Sequence, residues 1–474
     1  MRLLLAASTA TMALGTAHEA LAILVVPALA LALHAARRAR SYLGACAASA
    51  LPVASALAVT AGGAVQVWPW APLAALPVAA PFALAGAVHA RALRGGASMQ
   101  AASLGFAAAW LSVEAAWGHL GGLPLVRVGY LVAATPLGPT AALAGVSTTS
   151  VAAWLAALAV ADLPLATRRP RAATLRRPAM WLGCLTALLL ATHLAVPPRT
   201  LRASPGDATT RVALLQTGVR RADRAWAARW PEAGRALRAR LDGQLRRAVR
   251  QGARLIIGPE GTLSPTGVAG PRVAPVFGTA PFAVLVGAAV RDDAGLRNAV
   301  VDLADDAAVR YVKRHPVPWH EDRFEAGTEA AQVTFGPRRL SLAVCFDLVY
   351  AAEIRAATRD ADALVAVSDA AFAGRSAMPH LQLAVARLRA AENGTPVLFV
   401  TATGPTTVLD ARGRTVAHTS GRDPAVLVHD LAWARARTPY ARFGGTLDLP
   451  ALALAAGATR RRGVRPLTPR RRRP

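Results

Sequence analysis

The chain has 474 residues, 54% of them hydrophobic, with a mean hydropathy of +0.35. That is too apolar for an ordinary water-soluble protein and leaves room for a membrane part plus one large soluble domain. Net charge is +27, but the basic runs flank apolar spans, the pattern of positive-inside loops rather than of a nucleic-acid surface, so no nucleic acid is expected as a partner. Of three cysteines, Cys46 and Cys184 fall in membrane-like stretches and Cys345 stands apart, which argues against a disulfide framework.

Residues 1–196 read as a transmembrane helical bundle of about seven spans. Apolar runs fall near 3–16, 19–35, 42–63, 70–90, 99–119, 138–162 and 178–196, most of them reaching the roughly 17–25 residues that cross a bilayer. Arg37, Arg38 and Arg40, then Arg91 and Arg94, then Arg168 to Arg177 mark the basic loops, while the alternate loops hold only Arg127. The positive-inside rule makes the basic loops cytoplasmic, and seven spans then place everything after Val196 on the outer face. Trp68 and Trp70 suit an interfacial aromatic belt. Glu114 lies inside an apolar run, either as a functional intramembrane carboxylate or as a side chain reaching the interface.

A polar, Pro/Gly-punctuated linker covers 197–210. From Arg211 strand-like runs alternate with two long helical patterns, Trp226 to Gln251 and Met378 to Asn393, which gives an α/β domain over 211–436. Three of the strand-like runs end in chemistry. R-L-I-I-G-P-E ends in Glu260, a hairpin pattern ends in Lys313, and L-S-L-A-V-C-F-D delivers Cys345. A lone cysteine after an apolar run is ordinarily core, and Glu260 or Lys313 alone would pass as surface charge. Together they form a set: a carboxylate to take the thiol proton, a thiolate to attack a carbonyl, and an ammonium to stabilise the oxyanion. The tail, 437–474, holds an apolar run of about 15 residues with Asp448 and Pro450, short for a final span, and then an Arg-rich end.

The motifs G-P-E, Y-V-K-R-H-P-V-P-W-H-E and A-V-C-F-D resemble those of the nitrilase (carbon-nitrogen hydrolase) superfamily, and specifically its membrane-bound branch, apolipoprotein N-acyltransferase. M-P-H-L-Q-L-A-V-A-R-L-R-A-A-E-N-G-T-P and T-P-Y-A-R-F-G extend the resemblance over about Arg211 to Gly444. It implies an α-β-β-α sandwich after the bundle, with Glu260 as general base, Lys313 as oxyanion-stabilising cation and Cys345 as nucleophile. Supporting roles would fall to Glu321 (orienting Lys313 or the leaving amine), to Asn298 (holding the Glu260 or Lys313 loop) and to Phe346, whose backbone N–H would complete the oxyanion hole; Asp347 stands where the family usually has Glu. His380 and Arg389 read as structural. The resemblance implies a bacterial plasma-membrane enzyme without cofactor or metal, taking an acyl chain from a phospholipid and giving it to the diacylglyceryl-cysteine amine of an apolipoprotein. The sequence departs from the family at Ser368 and Ala371, in S-D-A-A-F, where Asn and Trp are usual, and in Q-T-G at Gln216. The segment from Glu321 to Phe335 is short and polar where the family carries a long apolar lid. These departures keep open a membrane-tethered amidase using the same three residues, or a non-catalytic lipid-binding relative.

Overall fold

A computed structural model describes residues 1–61, 75–119, 127–163, 172–196, 209–220, 223, 231–263, 282–293, 295–318, 320–369, 371–373, 376–419, 421–433 and 435–445. Trp68, Trp70, most of the linker and the tail after 445, with the question of a final span, lie outside the described residues.

The N-terminal part is helical: α1 (Arg2–Ala17), α2 (Val25–Arg37), α3 (Tyr42–Ala61), α4 (Ala75–Ala79), α5 (Ala83–Arg94), α6 (Met99–His119), the short α7 (Val128–Leu131) and α8 (Ala141–Ala144), α9 (Val146–Asp162) and α10 (Ala172–Ala195). Alanine and leucine dominate these helices, and small residues let their axes approach closely. Gly86 of α5 lies against the backbone of Ala45 and Cys46 in α3, where a Cβ would clash. Among the described residues, Glu19–Arg37, Tyr42–Thr60 and Leu175–Ala195 are long and apolar enough to cross a bilayer. Leu3, Leu14, Ile23, Leu43, Leu182 and Leu194 face outward, as they do where lipid is the solvent. The chain is a membrane protein.

The run 138–162 is not one helix. Pro139 starts a 3-10 turn, and Gly145, at φ 82°, breaks α8 from α9. The segment from Val128 to Val146 therefore folds across one end of the bundle, and its Tyr130, Ala133 and Ala141 pack into the core of the following domain. Glu114 reaches no interface. It is buried and accepts hydrogen bonds from Trp110 Nε1 (2.9 Å), the Val128 amide (3.0 Å) and Ser150 Oγ (2.7 Å), which tie α6 to α7 and α9.

The second part contains β1 (Thr210–Gln216), α11 (Pro231–Arg250), β2 (Leu255–Ile257), β3 (Ala283–Asp292), β4 (Gly295–Asp302), β5 (Ala308–Val312), β6 (Gln332–Phe335) and β7 (Arg338–Val344). It continues with α12 (Ala351–Thr358), β8 (Ala363–Ser368), α13 (Met378–Asn393), β9 (Val397–Thr401), β10 (Thr407–Leu409), β11 (Thr415–His418), β12 (Ala425–Leu431) and α14 (Pro439–Phe443). The strands form two six-stranded sheets, ordered β12-β1-β2-β3-β4-β5 and β11-β10-β9-β8-β7-β6. The inner faces interdigitate through Val212, Ile257 and Leu285 from one sheet and Leu342, Val365 and Val400 from the other. Leu241 and Leu245 of α11 cover the outer face of the first sheet. Leu383, Ala386 and Leu388 of α13 cover the outer face of the second. The result is an α-β-β-α sandwich, whose central strands are mostly apolar because both faces are buried.

The sandwich sits on one end of the bundle. Arg387 of α13 pairs with Glu19 (2.8 Å), the His380 ring lies 4.4 Å from that of His18, and Arg412 donates to the carbonyl of Val196. Arg389 and Glu392 form an ion pair (3.0 Å) with no exposure, and Arg389 also bonds Tyr130 Oη (3.3 Å). The T-P-Y-A-R-F-G motif closes the same junction. Thr438 caps α14 and donates to the Glu392 carbonyl, while Tyr440 lies against Gly145.

Candidate active site

Three strand ends converge between the two sheets. Glu260 follows β2, Lys313 follows β5 and Cys345 follows β7, and Asn298 projects from β4 beside them. The Glu260 loop lies directly on β3, which is possible only because position 287 is glycine; a Cβ there would strike the Glu260 backbone. Antiparallel pairing of β4 with β5 and the bond from the Lys313 amide to the Asn298 carbonyl (2.8 Å) set Asn298 level with Lys313.

Cys345 is held in the left-handed region, at φ 49°, where β7 turns sharply into a 3-10 segment. Such a conformation costs a non-glycine residue about 1–3 kcal/mol and persists only where the surroundings impose it. Asp347 imposes it. Its buried carboxylate accepts from the Val344 amide (2.9 Å), the His315 amide (2.9 Å) and Tyr311 Oη (2.8 Å). It thus ties the nucleophile turn to the strand that carries Lys313. Phe346 is buried in the first turn after the thiol, its ring edge-on to Tyr350.

The polar groups form one network. Lys313 Nζ lies 3.0 Å from Glu260 Oε1 and 2.6 Å from Glu321 Oε2. Asn298 Nδ2 donates to Glu260 Oε1 (2.7 Å) and to Glu321 Oε1 (3.0 Å). The Asp369 amide donates to Glu260 Oε2 (2.7 Å) and the Val317 amide to Glu321 Oε2 (2.7 Å). Lys313 is 1% exposed, so two carboxylates and one ammonium share a site closed to bulk water.

That composition sets the titration. Burial raises the Glu260 carboxyl above its usual range; Lys313 opposes this, and the charges of Glu321 and Asp369 reinforce it. Burial alone would pull Lys313 down, but Glu260, Cys345 and Glu321 outweigh it and hold the ammonium charged. The Cys345 thiol is pushed up by burial and by the Glu260 charge, with Lys313 pulling the other way. A neutral thiol beside a carboxylate of raised pKa is an arrangement for proton transfer at the moment of attack, not for a resting thiolate. Among the described residues no three His, Cys, Asp or Glu side chains cluster as metal ligands would.

The structure brings Glu260, Asn298, Lys313 and Glu321 into direct contact with one another, with the Cys345 thiol under their charges. Asp347 bonds the turn around the thiol. His380 and Arg389 lie at the bundle junction. The segment after Glu321 runs flat along the sandwich edge: the Glu325 amide bonds the Leu296 carbonyl and the Gly327 amide the Lys313 carbonyl, both at 2.8 Å. Sequence reading missed Gly287 and Gln382. Gln382, at the start of the second turn of α13, donates from Nε2 to Cys345 Sγ at 3.3 Å. Neither carries a spacing signal; one is a glycine in a strand and the other a polar residue in a helix.

Residues 211–438 match the model of the carbon-nitrogen hydrolase family. An amidase from Nesterenkonia sp. is 20% identical in structural alignment, with a TM-score of 0.38, covering 52% of this chain and 97% of the amidase. The apolipoprotein N-acyltransferase of Methylococcus capsulatus is 32% identical over 406 residues, covering 79% of this chain and 76% of that protein. Relatives of the same name from Pasteurella multocida and Bordetella bronchiseptica are 32% and 30% identical over 158 and 188 residues. With these two, the chain spans about a third of the relative's length. The chain belongs to the apolipoprotein N-acyltransferase family.

Proposed function

We propose that the chain is an integral-membrane N-acyltransferase working through a thioester on Cys345. In the first half-reaction Glu260 takes the thiol proton as Sγ attacks the ester carbonyl of a phospholipid. The S–C bond forms, Lys313 and the Phe346 amide stabilise the oxyanion, the ester C–O bond breaks, and the proton returns from Glu260 to the departing glycerol oxygen. In the second half the α-amine of a diacylglyceryl-cysteine, at the N-terminus of an apolipoprotein, attacks the thioester. The N–C bond forms, the C–S bond breaks, and a proton from the amine passes through Glu260 back to the sulfur. Glu321 and Asn298 hold Lys313 and Glu260 in place.

The observation that carries this reading is the seating of the thiol domain directly on the end of an apolar bundle, which suits substrates that both stay in the bilayer. We place a multi-pass bundle at 1–196, a linker at 197–210, the catalytic domain at 211–436 on the outer face of the bacterial plasma membrane, and at 437–474 an Arg-rich tail whose apolar run is a candidate for a short final span. Support for the orientation comes from the opposite end of the bundle, where Arg37 pairs with Asp162 (2.7 Å) near the basic loops. The test is transfer of a labelled acyl chain from phospholipid to a diacylglyceryl-cysteine peptide by the detergent-purified chain. Product from the native chain and none from Cys345→Ala is expected; equal product from both overturns the reading.

A second reading draws on the pinned, polar segment after Glu321, which offers a lipid tail little apolar cover. An amidase would use the same residues with water as acceptor. Release of amine from a soluble amide, without lipid, is its signature.

A further inference from the structure

We propose that Gln382, oriented by Ser368, is the fixed hydrogen-bond donor that holds Cys345 Sγ for attack and stabilises its anionic form. The inference rests on Cys345 being the nucleophile. Ser368 ends β8, which runs parallel to β7 with Val367 level with Val344, so Ser368 falls beside the thiol. Its fully buried Oγ donates to Gln382 Oε1 at 3.1 Å. With its oxygen held there, the amide turns its N–H toward Sγ, 3.3 Å away. Lys313 gives two of its three N–H donors to Glu260 and Glu321 and keeps one for the developing oxyanion, so a donor from Gln382 holds the sulfur without competing for that role.

An N–H aimed at sulfur is worth little to a neutral thiol and much to a thiolate, because hydrogen bonds to charged groups are the strong ones. The pair therefore favours the form that attacks. It also fixes the sulfur's position on a strained turn, and it does so from α13, whose far face packs on the bundle.

The test is alkylation of Cys345 by iodoacetamide in the detergent-purified full chain, followed by intact mass across pH, in a Cys46→Ser/Cys184→Ser background. The S–C bond forms, iodide leaves and the thiol proton passes to Glu260 or water. Gln382→Leu is expected to slow alkylation roughly 10- to 100-fold at neutral pH and to move the pH midpoint upward, with an unchanged melting temperature. Ser368→Ala should shift both readouts the same way by less, and the double variant should match Gln382→Leu alone. Alkylation of Gln382→Leu at the native rate and midpoint overturns the proposal, as does a double variant whose losses simply multiply. If phospholipid gives no acyl adduct while these shifts hold, the acyltransferase reading fails and the role of Gln382 stands.

Discussion

Replacing Asn298 by alanine removes one donor that serves two buried carboxylates at once. Nδ2 lies 2.7 Å from Glu260 Oε1 and 3.0 Å from Glu321 Oε1, and all three residues are buried. A hydrogen bond to a charged group contributes about 1.5–3 kcal/mol. Glu260 Oε1 keeps Lys313 as a partner, whereas Glu321 Oε1 keeps none among the bonds described here, so the combined loss is about 3 kcal/mol or more. In a domain of this size that lowers Tm by roughly 6–12 °C. The pH profile moves too. The Asn298 bond favours ionised Glu260, so its loss raises a carboxyl already held above its usual range. At 1.36 kcal/mol per unit, the acid limb of thioester formation moves up by about one to two pH units. Differential scanning fluorimetry and acylation rates measured across pH check both effects. A variant with native Tm and an unmoved acid limb would refute the electrostatic account of the site.

In the native chain, thioester formation should fall as pH drops through the Glu260 pKa, at a midpoint above the ordinary carboxylate range, because the base works only when deprotonated. Gly287→Ala should leave the sandwich folded and cut acylation by about 100-fold, since its Cβ displaces the Glu260 backbone; single-turnover rates check this. Cys345→Gly should melt higher than Cys345→Ala, as both lack the thiol and only glycine relieves the turn at φ 49°. Arg389→Met should cost about 1.5–3 kcal/mol by removing the fully buried guanidinium that pairs with Glu392 and bonds Tyr130, read as a lower Tm in detergent.

Much of the fold was legible because burial repeats in the sequence. The apolar runs that carry α2, α3 and α10 are long enough to read directly, and the central strands are mostly apolar because both faces are covered. The stretch from 128 to 146 was not legible, because apolar composition is the same whether a side chain meets lipid or another domain; Gly145 is the local reason that the run at 138–162 breaks. Glu260, Lys313 and Cys345 stood out as polar ends of apolar runs. What sequence could not show is the third dimension of the site: that Asn298 spans two carboxylates, that Asp347 ties the thiol turn to the Lys313 strand, and that Gln382 arrives from a helix far along the chain. Glu114 stayed open in the sequence between a functional and an interfacial reading. An intramembrane carboxylate suggests function, yet its three donors make it a clamp between helices.

The central claim is that Cys345 carries a lipid acyl group. Intact-mass spectrometry of the purified chain after incubation with phospholipid vesicles tests it most directly. The account predicts a mass increase of one fatty acyl group, removed by hydroxylamine and absent from Cys345→Ser. An unmodified chain whose Cys345 still reacts with a small thiol probe would contradict it.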